Sequence, residues 1–377
     1  MGPLKGLKII EVGGIGPGPF CAQMLADLGA QVIRVDRNDN AYGAKDPKYI
    51  VWHRSRKSIK VDLKKPEGIE TLLRIIEQSD ALIEGFRPGT MEKLGLGPEI
   101  CLNRNPKLIY GRMTGWGQNG PLSHAAGHDI NYIAITGALH AIGQKDETPP
   151  PPLNVLGDLG GGGMMLALGI MCALYETQKS GKGQVIDANV VDGTTALMGF
   201  FYTMTAGGMY QDKRGSNILD GAAHFYNTYE TLDGKYIAVG SIEPQFYELL
   251  LKHAGIDDPE FKDQMDQSKW PGLKEKLTEI FKTKTRDQWC KVMEGTDACF
   301  SPVLSLEEAQ NHPHNVARKT FVEVDGVVQP APAPRFSRTK PEIQSPPPIP
   351  GHDTDKVLAD FGFNIDEIET LKKRNVI

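Results

Sequence analysis

The chain has 377 residues, 42 of them basic and 47 acidic, giving a formal net charge of −5; 40% are hydrophobic and 24% charged. At about 100–200 residues per domain this length predicts two domains, and the balance of apolar and charged residues excludes disorder as the main state. No block of Lys and Arg offers a nucleic-acid footprint, so any anionic partner must meet a local basic patch.

The longest apolar stretch, residues 163–175, is shorter than the about 20 residues of a membrane span. It reads as a buried helix, and no membrane partner is expected. Cys21, Cys101, Cys172, Cys290 and Cys299 form no C-x-x-C pair, which predicts neither a disulfide framework nor a zinc knuckle and fits a reducing compartment. No secretory, presequence or peroxisomal pattern is visible at either end.

In chain order, the first half alternates short β-branched runs with longer amphipathic ones. Residues 8–12, 31–35, 58–63, 81–84 and 107–113 read as strands, and 20–28 and 66–78 as helices, the second with proline in its first turn. This order predicts a parallel sheet covered by helices. After four prolines at 149–152, Asp158 and the glycines 160–163 lead into an apolar helix ending near Gln178, followed by a strand at 184–187. Residues 189–221, rich in Met and Gly, read as a helix and a connector. A new unit begins near Ala222, where YNTYETLDGKYIAVG places two alternating strands around the Asp233-Gly234 turn signal, with helical sequence at 246–253 and 273–293. Eight prolines among residues 330–350 mark an extended linker. Helical segments at 354–361 and 365–373 are expected to dock on the first domain. The expected division is 1–188 for a large domain, 189–221 for the connector, 222–329 for a small α+β domain, and 330–377 for linker and returning segment.

The first turn after a strand reads EVGGIGPGPF, with Asp36 and Arg37 ending the next strand. Glycines there let backbone approach a pyrophosphate at a helix N-terminus, but Pro17 and Pro19 remove N–H donors. Nicotinamide binding, a structural turn and another phosphate-bearing ligand all fit. Arg37, Lys64, Arg87 and Lys93 recur at or near strand ends, where ligands of open parallel sheets sit and where such groups suit phosphate oxygens; ordinary surface charge is the plainer reading. His124 and His128 have helical zinc-ligand spacing but no third ligand, and no metal is expected. In GHDINY, Asp129 reads as a helix cap with His128 at its mouth, where a neutral imidazole serves as a base and backbone N–H groups receive an oxyanion; a packing histidine is the alternative. Asp158 reads as an N-cap, or as an acid whose flanking glycine and apolar side chains keep it protonated. Glu243 reads as a helix-start acid or an orienting partner for a histidine. No serine-hydrolase elbow, Walker A loop or H-E-x-x-H occurs.

The segments GPGPFCAQMLADLGAQVIRVDR, MEKLGLGPE, LIYGRMTGWGQ, AGHDINYIA, GKGQVIDANVVDG, NILDGAAHFYNTY, AVGSIEPQFYELL and TDACFSPVL carry a further signal. Over nearly its whole length the chain resembles the α-methylacyl-CoA racemases of the family III CoA-transferase group. The resemblance implies a Rossmann-like large domain with a parallel sheet, a smaller α+β domain and an interlocked homodimer whose sites lie between subunits. It implies interconversion of (R)- and (S)-2-methylacyl-CoA by 1,1-proton transfer through an enolate, with no cofactor beyond the CoA of the substrate. His128 and Asp158 correspond to the acid/base residues and Glu243 to the partner of His128 supplied by the other subunit. Arg37, Val61, Asp62, Leu63, Lys64, Arg87 and Lys93 correspond to the CoA contacts, and Gly127, Asp129, Ile130, Asn131 and Tyr132 to the surroundings of the thioester. Lys93 stands where some relatives have arginine. Met164, Met165 and Met204 either accommodate the acyl chain or are core. The alternatives are a CoA transferase of the same group with Asp158 as nucleophile, and a noncatalytic acyl-CoA-binding protein. The resemblance leads us to expect a cytoplasmic enzyme in a bacterium and a peroxisomal or mitochondrial one in a eukaryote.

Overall fold

The computed structural model describes residues 2–36 and 46–377. They form two compact units, one of residues 1–136, 153–197 and 319–377, the other of 137–152 and 198–318. Three boundaries differ from the expected ones: the segment Gly137–Pro152 belongs with the second unit, that unit ends at Arg318 rather than Gln329, and the expected connector 189–221 is divided, its residues to Leu197 in the first unit and those from Met198 in the second.

The first unit is built on six parallel strands, β1 (Lys8–Val12), β2 (Gln31–Asp36), β3 (Arg56–Lys60), β4 (Ala81–Glu84), β5 (Ile109–Thr114) and β6 (Gln184–Asn189), in the order β3-β2-β1-β4-β5-β6. Val and Ile fill β1, β2 and β4 because both faces of the sheet are covered by helices, leaving no polar face to alternate with. The chain leaves β1 toward β2 on one side and reaches β4 on the other, which opens a crevice at the carboxyl ends of the strands, the usual ligand position in this topology. Helix α1 (Pro17–Asp27) starts there with proline in its first turn. Helix α2 (Pro66–Ile76) buries Leu72, Ile75 and Ile76 against the sheet. A short helix α3 (Asp129–Ala134) precedes a π-helical turn (Val155–Met164), and α4 (Met165–Ser180) continues from it. Helix α5 (Val190–Leu197) follows β6 directly.

The apolar run expected to be a buried helix is longer and buried on only one face. Residues Val155–Ser180 form 26 continuous helical residues, long and apolar enough by length and composition to cross a membrane. Leu166, Ala167, Ile170 and Leu174 enter the core of the first unit, whereas Met164, Leu168 and Tyr175 are more than half exposed.

In the second unit, α6 (Gly199–Ala206) leads into an antiparallel sheet of β7 (Tyr226–Glu230), β8 (Tyr236–Gly240) and β9 (Phe300–Val303), with the expected hairpin turn at Asp233-Gly234. Helices α7 (Pro244–Ala254), α8 (Trp270–Phe281) and α9 (Arg286–Met293) pack Tyr247, Leu250, Leu277, Phe281 and Trp289 on it. The single helical stretch expected over 273–293 is two helices, because the Thr285 hydroxyl accepts from the Gln288 amide and restarts the chain with a capping box.

The chain then returns to the first unit through a hairpin of β10 (Phe321–Val324) and β11 (Val327–Pro330), the proline-rich segment, and helices α10 (Thr354–Asp360) and α11 (Ile365–Lys373). Val357, Leu358, Phe361 and Ile368 share a core with Ile10, Ile33, Ile59 and Leu72, as the expected docking on the first domain requires. The edge of β3 is tied to this tail: the Ser58 amide donates to Asp353 Oδ2 at 2.9 Å and the Lys60 amide to Thr354 Oγ1 at 3.1 Å. The expected α/β architecture with a parallel sheet and a smaller α+β unit is therefore met.

Candidate active site

The loops that leave β1, β4 and β5 at the carboxyl end of the sheet supply most of the site. After β4, Gly85, Phe86 and Arg87 form one wall of a cavity of about 400 Å³; Trp116, beyond β5, forms another, and Gly127, His128, Asn131 and Tyr132 close it. Glu84 braces the arginine loop from below. It is 1% exposed; Oε2 accepts the Phe86 N–H at 2.8 Å and Oε1 the Arg112 Nε–H at 3.0 Å, while Arg112 also donates to Glu92 at 2.8 Å. Burial pushes the Glu84 carboxyl up, and the Phe86 amide and Arg112 pull against it. Tyr132 donates its hydroxyl to the Gly127 carbonyl and meets Trp116 edge to face, ring centroids 4.8 Å apart.

His128 is exposed and is itself the N-cap of α3, its amide donating to Asn131 Oδ1 at 3.0 Å. This corrects the expectation that Asp129 caps the helix. Asp129 is the first helical residue, and its buried carboxylate turns toward the π-helical turn, where Oδ1 accepts the Asp158 N–H at 2.6 Å. That approach requires glycine at 157: a Cβ there would fall 2.2 Å from Asp129 Oδ1.

Asp158 is not an N-cap either. It lies in the first turn of the π-helical segment, whose cap is Asn154. Asn154 Nδ2 reaches Asp158 Oδ2 at 3.4 Å, and on the other side the carboxyl faces the start of α1, where Gly16 has φ 72° and a Cβ would stand 3.4 Å from Oδ2. Burial raises the Asp158 carboxyl above the usual carboxylate range; Asn154 opposes this, the Asp129 charge adds to it, and His128 opposes it. An exposed imidazole and a half-buried carboxyl with raised proton affinity thus stand on either side of Asp129, whose carboxylate holds the Asp158 amide; His128 lines the cavity and Asp158 does not. Such a pair can take a proton from one position and return one to another.

The other expected residues are dispersed. Val61 is buried, the Asp62 amide donates to the Val376 carbonyl at 2.7 Å, and the Lys64 amide to Asp62 Oδ1 at 3.0 Å; none of these, nor Leu63, lines the cavity. Lys93 is exposed at the end of the four-residue helix Thr90–Lys93. Ile130 is exposed on α3. Glu243, in the second unit, is the exposed N-cap of α7, its carbonyl accepting the Phe246 and Tyr247 amides at 3.0 Å. Arg37 lies outside the described residues. His124 is exposed ahead of α3, and among the described residues no three His, Cys, Asp or Glu side chains are grouped to hold a metal ion.

The sequence pattern of CoA-transferase family III matches residues 4–354. The chain belongs to that family. Among relatives in the family, the alpha-methylacyl-CoA racemases of Mus musculus and Homo sapiens are each 46% identical to it, covering 99% of this chain and 97% of theirs. A solved CaiB/BaiF family protein from Brucella suis superposes with a TM-score of 0.81 at 26% identity, over 96% of this chain and 99% of that one. The family resemblance read from the sequence therefore holds over the full length. Sequence reading of this family III chain missed Trp116, Asn154 and the Glu84–Arg112 brace. Trp116 follows a strand in a glycine-flanked loop and Asn154 stands one helical turn before Asp158, signals visible in the sequence; a buried ion pair between neighbouring strands leaves none.

Proposed function

We propose that the chain interconverts (R)- and (S)-2-methylacyl-CoA thioesters by moving the α-proton. The observation that carries this reading is the placement of His128 at the N-cap of α3, beside Asp129, whose carboxylate accepts the amide of Asp158, a half-buried carboxyl that burial raises. Inverting a carbon acid needs a base on one face and an acid on the other. His128 takes the α-proton of one enantiomer, electrons pass into the thioester carbonyl, and Asp158 delivers its proton to the opposite face of the enolate; the roles reverse for the other enantiomer. The first-turn amides of α3, Asp129 and Ile130, have no intrahelical acceptor and suit the enolate oxygen. Arg87 and Lys93, with Arg37 and the segment Val61, Asp62, Leu63, Lys64, serve the phosphates and pantetheine of CoA, and Gly127, Asn131 and Tyr132 enclose the thioester. No other cofactor is called for.

Glu243, contributed by a second copy of the chain, orients His128 in an interlocked homodimer. The exposed apolar side chains Met164, Leu168 and Tyr175 on α4, and Phe200 and Tyr202 on α6, support such an association. A CoA transferase of the same family would instead use Asp158 as the nucleophile.

The test is incubation of one enantiomer of a 2-methylacyl-CoA in deuterated water. Inverted product with deuterium at the α-carbon is expected. Lack of exchange, with CoA passing to an added free acid, would establish the transferase instead.

A further inference from the structure

Asp129 is the acidic side chain beside Asp158 to which proton transfer gives no task. It is 8% exposed. Its carboxylate accepts the Asp158 amide at 2.6 Å and also the Gly157 amide, while Oδ2 is buried with no hydrogen-bond partner among the described residues. Buried acceptors left so are few in proteins and costly. Two neighbouring carboxyl groups resist ionising together and titrate as a pair. The donors decide which keeps the charge. Burial pushes both carboxyls up, but two amide N–H groups pull against it at Asp129, whereas Asp158 has only the 3.4 Å contact from Asn154.

His128 and Tyr132 also face Asp158 electrostatically. The remaining ionisable groups on elements packed against the π-helical turn have other partners or settings. On α1, Asp27 pairs with Arg54 and Cys21 is buried. On α5, Asp192 accepts from Asn189; on β5, Arg112 pairs with Glu84 and Glu92, and Tyr110 donates to Leu96; on β6, Asp187 accepts the Gln118 amide. On α4, Glu176 accepts from Ser180, Lys179 lies over Tyr175, and Cys172 is exposed.

We propose that Asp129 is a positioning residue whose carboxylate fixes the backbone of Asp158 and, as the resident negative charge of the pair, holds the transferable proton on the Asp158 carboxyl. This rests on the reading of Asp158 as acid and base of the racemisation. Burial chiefly raises the proton affinity of Asp158, and the Asp129 charge adds to it in the same direction.

The test follows kcat against pH, for each enantiomer of a 2-methylacyl-CoA, in the full-length enzyme and its Asp129→Asn and Asp158→Asn variants. Asparagine keeps an oxygen for the two amides and removes the charge. The limb reporting Asp158 is expected to move down by about one pH unit in D129N. At neutral pH, kcat falls several-fold for the enantiomer protonated by Asp158 and recovers at lower pH. A lower kcat with the limbs in place makes Asp129 a structural brace only and overturns the proposal, as does an unchanged profile. If D158N keeps full activity, the reading of Asp158 fails and the proposal falls with it, a result distinct from a silent D129N beside an inactive D158N. If D129N does not fold, carboxyl titration of the unmodified enzyme labelled with ¹³C-aspartate decides. Two inflections at the Asp158 resonance, assigned by its loss in D158N, support the pair, and one overturns it.

Discussion

A carboxyl group returns a proton to an enolate only if it holds one at working pH, and the residues around Asp158 act on that requirement individually. Gly157 is the tightest of them. A methyl group there meets Asp129 Oδ1 at 2.2 Å and Ile133 Cγ2 at 2.8 Å, neither of which is the loose end of a long side chain. Gly157→Ala is expected to cost about 1–3 kcal/mol of stability by overpacking. The displaced Asp158 should lower kcat by about 10²-fold. Urea unfolding and steady-state racemisation measure the two effects, and an unchanged kcat in the folded variant would detach Asp158 geometry from activity.

At the scale of elements, α1, the segment before β3 and the β10–β11 hairpin are locked by a buried ion pair. Arg54 donates to Asp27 Oδ2 at 2.6 Å, with side chains 3% and 6% exposed, and also to Gln329 Oε1 at 2.8 Å and the Pro330 carbonyl at 2.7 Å. Asp27→Ala strands a buried guanidinium and is expected to cost about 3–5 kcal/mol, read from denaturant midpoints. None of this was legible in the sequence, where Asp27 and Arg54 are two ordinary charges. The sheet was legible, because runs of Val and Ile such as residues 8–12 admit little else, and β1 has those bounds. The π-helical turn was not. Four successive glycines have no periodicity to read, and they let helix and turn approach so closely that a Cβ at Gly161 would lie 2.3 Å from Thr194 Oγ1. Asp158 is recognised through resemblance, while its default reading as a cap fails because the helix starts earlier, at Val155, with Asn154 as its cap. The strand expected at 58–63 ends at Lys60, since Asp62 turns its amide to the tail instead of a neighbouring strand.

For the whole molecule, the proposed sharing of sites between subunits has a direct test. His128→Ala and Glu243→Ala, each inactive alone, are mixed, unfolded and refolded together. Random pairing makes half the dimers hybrid, and each hybrid has one intact site, so about a quarter of the native activity should return. Absence of any recovery from dimers shown to be mixed would place both residues in the same subunit's site. The discontinuity of the first unit also sets the order in which a nascent chain can mature. The second unit is one run from Met198 to Arg318 apart from the segment Gly137–Pro152 that precedes it, so all of it has left the ribosome before α10 and α11 appear. The parallel sheet must wait for Val357, Leu358, Phe361, Phe363 and Ile368, the last buried apolar side chains of this core cluster to be synthesised. At a synthesis rate of about 5–20 residues per second, that leaves some seconds in which a finished small domain hangs from an unfinished large one. During that interval the exposed strands are clients for chaperones, and a chain stopped short of Thr354 has no smaller fold of the sheet to fall back on.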